Sequence, residues 1–137
     1  MKTIKTVALI LVFVMLLSFG ALAVDSKASD QIGIYNIRVT PTTGYINVKA
    51  SVYGNGQMDK LGCESIYVYE YRSAAWTLVG HDDESDPDMY IEDAPGYLVN
   101  KHYDTRAGRE YKVVVTIFAE KDGVRDTRTK TLFVTGE

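Results

Sequence analysis

The chain has 137 residues, 15 Lys and Arg against 18 Asp and Glu, and a formal charge of −3. Residues 81–104 alone carry −7, and no basic stripe offsets them. That balance argues against nucleic acid and anionic membrane surfaces, and favours cations or basic partners.

The first 23 residues predict an export signal. Lys2 and Lys5 form a positive head, Val7 to Phe19 is apolar except for Ser18, and Ala21-Leu22-Ala23 supplies a small-residue cleavage site. A spanning helix needs roughly 20 apolar residues, and this run is shorter. Cleavage leaves residues 24–137, with no later apolar segment for a membrane span and a formal charge of −5. The expected location is secreted and extracellular, free or loosely associated with the cell envelope. A chain of that size buries about two thirds of its unfolded surface and needs no disulfide. Cys63, the only cysteine, could not form an internal one.

Residues 24–30 are polar and predict a flexible leader, so the domain is expected over 31–137. Ile32 to Thr40 is the first predicted strand, ended by Pro41. Tyr45 to Tyr53 alternates, with Ile46, Val48, Ala50 and Val52 on one face. Gly54-Asn55-Gly56 closes it, and a ten-residue connection leads to Cys63. Glu64 to Arg72 predicts a third strand with Tyr67, Tyr69 and Tyr71 on one face and Ile66 and Val68 on the other; which face is core stays open. Ala75 to Gly80 is a short fourth strand. An acidic loop over 81–95 and a strand from Gly96 to Tyr103 follow. Tyr111 to Glu120 alternates clearly, Asp122-Gly123 predicts a two-residue hairpin turn, and Val124 to Thr135 returns with four Thr. Six or seven short strands with frequent turns predict an all-β chain, an antiparallel β-sandwich, with a small barrel as the alternative.

The stretch Gly108-Arg109-Glu110-Tyr111-Lys112-Val113-Val114-Val115 resembles the Gly-x-x-Tyr-x-Val-x-Val start of the penultimate strand in immunoglobulin and fibronectin type III domains. The resemblance implies that Tyr111 forms a tyrosine corner by bonding back to the preceding loop. The layout also resembles small exported single-domain proteins of Gram-positive bacteria, in which a strand leading into a Trp, here Trp76, precedes the closing hairpin. That likeness implies fold and compartment and carries no activity.

Three groups of side chains are candidates for function. In the acidic segment Asp82, Glu84, Asp86 and Asp88 fall at alternate positions, with Glu92 beyond. Such spacing suits the six to eight oxygens calcium takes, although Pro87 sits where an EF-hand needs glycine. The bland expectation for the same residues is a mobile, solvated loop. Ten tyrosines make the second group. Tyr67, Tyr69 and Tyr71, with Tyr90 and Tyr97, are ligand-binding candidates if exposed, because large stiff rings anchor sugars and proteins. Core or cross-strand pairing is the competing role for these rings, and Trp76 is expected to pack across the two sheets as a structural residue. Cys63 with His81 or His102 is the third group, and no flanking signature supports catalysis or a zinc site.

The sequence therefore predicts a non-enzymatic secreted module recognising an extracellular protein or a cell-surface glycan. A calcium-stabilised structural or envelope-associated protein is the first alternative, and a small secreted toxin or bacteriocin-like protein the second. Unpaired sandwich edges would also permit self-association.

Overall fold

The computed structural model describes residues 30–137. The predicted export signal and all but the end of the leader lie outside the described residues. Six antiparallel strands follow: β1 (Ile32–Thr42), β2 (Tyr45–Arg72), β3 (Ala75–Asp83), β4 (Tyr90–Asp104), β5 (Glu110–Lys121) and β6 (Val124–Thr135).

The 28-residue β2 organises the rest. Its first half lies between β1 and β4, with Ala50 opposite Ile37 on one side and Val99 on the other. Its second half lies between β3 and β5, with Val68 opposite Gly80 and Val113. β6 then pairs with β5 and forms the edge. β2 thus leaves a three-stranded layer (β1, β2, β4) and enters a four-stranded one (β3, β2, β5, β6). The inner faces of both layers are apolar: Ile37, Ile46, Val48, Ala50, Val52 and Val99 meet Ile66, Val68, Val113, Val115 and Ile117, all buried. Three strands facing four with Greek-key crossings make an immunoglobulin-like antiparallel β-sandwich.

The ten-residue connection expected after Gly54 is strand rather than loop. Met58–Gly62 pairs with Tyr90–Ala94 of β4, and Lys60–Cys63 pairs with Phe118–Glu120 and Ile117 of β5. Pairing with β4 from Met58 and with both β4 and β5 over Lys60–Gly62 keeps this part extended as it turns the corner. The irregularity falls between Tyr53 and Met58, where the pairing with β4 shifts. Gly62 marks the tightest point: a Cβ there would run into the Met89 carbonyl, and Cys63 N–H donates to that same oxygen at 2.8 Å.

The predicted acidic loop is also shorter than expected. His81–Asp83 completes β3, and Tyr90 already begins β4. Pro41 lies inside β1, opposite Ile46, one residue before the strand ends.

Candidate functional site

Strand alternation divides β2 cleanly beyond Cys63. Ile66 and Val68 are fully buried between the layers, so Tyr67, Tyr69 and Tyr71 project from the opposite face of the four-stranded layer. The register brings neighbours to each. Tyr71 pairs with Trp76, Tyr69 with Leu78 and Lys112, and Tyr67 with His81 and Val114; Lys112 in turn pairs with Phe133 on β6.

These side chains form one platform. The Trp76 ring lies 5.1 Å from Tyr71 and 5.8 Å from Phe133, centroid to centroid, tilted in both cases. Tyr67 stacks on His81 at 4.6 Å and lies near-parallel to Tyr69 at 6.4 Å. The Lys112 ammonium sits over Tyr69 at 4.7 Å and Trp76 at 5.2 Å, a cation–π arrangement that holds the rings in place. Tyr67, Tyr69 and Trp76 are half-buried, while Tyr71, Leu78 and Phe133 are 41%, 51% and 65% exposed. Trp76, expected between the sheets, therefore belongs to this outer face. Its register with outward Tyr71 puts it there; on the other side of β3, Gly80 lies against the Tyr103 ring and Thr77 is exposed.

The outer face of the three-stranded layer has a different character. Asn36, Arg38 and Thr40 lie beside Asn47, Lys49 and Ser51, and then Asn100 and His102. Leu98, at 54% exposed, and Ile34 and Tyr53 near the far end are its main apolar positions. The aromatic excess is thus concentrated on one of the two faces.

Tyr90 and Tyr97 do not join the platform. Both are half-buried on β4 and pack against the core. Tyr90 lies under the Lys60 ammonium at 3.9 Å, and Tyr97 Oη donates to the Asp88 carbonyl at 3.3 Å.

The acidic candidates go to separate partners. Asp82 turns inward, where Tyr103 Oη donates to it at 2.5 Å and Lys101 Nζ lies 3.3 Å away. Glu84 takes Lys60 at 2.6 Å and also pairs with Arg125. Asp86 accepts the Asp83 N–H at 2.8 Å, and Asp83 in turn accepts from the Ser85 N–H and hydroxyl. Lys101 Nζ also caps the Pro87 carbonyl at 2.7 Å. Asp88 holds a positive φ of 60° at the turn, and Glu92 is exposed on β4. Among the described residues no three His, Cys, Asp or Glu side chains gather as metal ligands would. The segment is tied down by hydrogen bonds rather than loose, because its carboxylates neutralise cations of neighbouring strands.

The electrostatics follow from these contacts. Arg125 and then Lys60 hold the Glu84 carboxyl below the usual carboxylate range against the effect of burial. The Ser85 hydrogen bonds lower Asp83. Glu70, buried near the end of β2, is lowered chiefly by its hydrogen bond from Arg72 at 2.7 Å. Burial, with Asp82 beside it, pushes the Tyr103 phenol up, so it stays a donor. Cys63 is fully buried and its thiol is pushed up to about 12 by burial. Neither histidine lies across a base-paired geometry from it: His81 and His102 sit on the two outer faces.

At the far end of the four-stranded layer, Tyr111 is buried and its Oη accepts the Arg106 N–H at 2.7 Å. That bond ties the β4–β5 loop to β5 and is the corner geometry described for sandwich domains. Beside it, Trp76, Phe133, Glu110 and Thr135 wall a cleft of about 380 Å³.

No protein-family model and no curated protein sequence matches the chain. Among solved structures, the chain is similar to Spo0M, a sporulation control protein of Bacillus subtilis. The identity is 11%, covering 77% of this chain and 51% of that one, with a TM-score of 0.41. The chain thus spans about half the length of Spo0M. It is also similar to murine CRIg, at 13% identity, covering 77% of this chain and 99% of that one, with a TM-score of 0.38. Likenesses at this level accompany the strand topology above without adding a function to it.

Phe133, Lys112, Leu78 and Glu110 were not singled out in the sequence, yet a signal was there. A two-residue turn at Asp122-Gly123 puts Lys112 opposite Phe133, and an inward Tyr111 then turns both outward.

Proposed function

We propose that this protein is an exported, non-enzymatic binding module that recognises an extracellular protein or a cell-surface glycan. Its contact surface is the outer face of β3, β2, β5 and β6. The observation that carries this reading is the single platform of Tyr67, Tyr69, Tyr71, Trp76 and Phe133, set against a largely polar opposite face. Contiguous exposed aromatic surface on a soluble domain marks an interaction site, and Tyr and Trp anchors dominate such contacts. Rings already packed on one another and pinned by Lys112 lose little freedom on binding, which favours affinity.

The test is retention of the purified mature chain on envelopes of the producing cells. Tyr71→Ser and Phe133→Ser are compared with Leu98→Ser on the opposite face. Loss of retention in the first two alone, with unchanged melting, supports the platform. Equal retention in all three removes it.

A further inference from the structure

We propose that the platform's ligand is a glycan of neutral or amino sugars, seated with one ring against Trp76 and Phe133 in the cleft that these two side chains line. This inference rests on the binding-face reading above and narrows its ligand. The cleft, at about 380 Å³, falls near the lower end of the range of small-molecule sites, roughly 300–1,000 Å³. It suits one or two sugar rings better than a flat protein contact.

Its chemistry is divided as a pyranose is divided. Trp76 and Phe133 offer flat apolar surface to the C–H face of a sugar ring. Glu110 and Thr135 offer a carboxylate and a hydroxyl to its rim. A carboxylate is an acceptor only, so it takes hydroxyl or ammonium donors and repels another carboxylate. Glu110 is exposed and has no ion pair among the described residues, so that acceptor capacity is free. Lys112, the cation of the platform, is already held over Tyr69 and Trp76. With a mature charge of −5 and a strongly acidic 81–104 segment, long-range electrostatics disfavour an acidic polymer and admit neutral or basic ones.

The experiment uses cell envelopes before and after protease digestion, with soluble oligosaccharides as competitors. Retention should survive removal of envelope protein. Cello- and chito-oligosaccharides should displace the chain, and oligogalacturonate should not. Phe133→Ala and Glu110→Gln should each weaken retention about tenfold, equivalent to about 1.4 kcal/mol, without changing the melt. Retention that disappears with envelope protein overturns the glycan while leaving the binding face intact. Displacement by oligogalacturonate alone overturns the charge preference. Retention on digested envelopes that neither substitution weakens overturns the cleft, and a face that also tolerates Tyr71→Ser takes the wider reading down with it.

Discussion

Ser73 and Ala74 both hold positive φ, at 49° and 61°, in the two-residue turn that joins β2 to β3. Primed turns of this kind prefer Asn-Gly, because each ordinary side chain there meets a steric penalty. The double substitution Ser73→Asn, Ala74→Gly should therefore stabilise the domain by about 1 kcal/mol, read as a rise of a few degrees in Tm. The same end of the layer depends on a single phenol, since Tyr111 lies opposite Glu70 just before this turn. Tyr111→Phe keeps the ring but leaves the Arg106 N–H without its acceptor, and should cost about 1–3 kcal/mol in denaturant unfolding. Cys63 illustrates how burial decides reactivity. With no exposure and its thiol pushed up to about 12, it should resist a thiol reagent in the native state at pH 8 and react only at the rate of unfolding. Fast labelling of folded protein would contradict the packing around Gly62 and Met89.

Between elements, β3 and β4 are the edges left unpaired to one another, and polar side chains bridge them. Asp82 of β3 takes Tyr103 and Lys101 of β4, while Glu84 in the connection reaches Lys60 of β2 and Arg125 of β6. The pH consequence has a definite sign. Glu84, Asp83 and Glu70 all titrate below their ordinary values in the folded state. Each therefore contributes stability that is present above the unfolded carboxylate pKa, about 4, and is lost as pH falls through the lower folded value. Tm should hold nearly constant from pH 7 to about 5 and fall below it, and Glu84→Gln should flatten that fall. An equally steep acid limb in the variant would remove Glu84 from the account. These bridges also explain why the acidic segment was misread from sequence. Its composition is that of a solvated loop, but the cations that claim Asp82 and Glu84 lie up to 41 residues away, beyond the reach of any local pattern.

At the scale of the whole molecule, periodicity carried most of the fold. β5, β6 and the first half of β2 alternate so regularly that their inner faces could be read directly, and Asp122-Gly123 set the register of the last hairpin. Two things were not legible. In β2 beyond Cys63 both faces are apolar or aromatic, so alternation alone could not choose between Ile66 and Val68 or the three tyrosines. Only the opposing layer decides, and it selects the compact branched pair. The corner at 54–62 was hidden too, because its Gly, Asn and Gln residues spell a loop, while pairing resumes with β4 at Met58 and with β5 at Lys60. The same layer geometry predicts a sharp contrast among substitutions. Val68→Ala, deep between the layers, should cost about 1–3 kcal/mol, whereas Tyr71→Ser should change stability by less than about 1 kcal/mol. If Tyr71→Ser unfolds the domain, the platform is structural rather than a contact surface.

Because one strand belongs to both layers, the sandwich has no seam along which it can part. Pulling β2 away from β4 drags on the residues that hold β5. The two layers should then open together rather than in sequence. Amide protons of Val48 and Val68 should accordingly exchange with the same free energy, that of the whole domain.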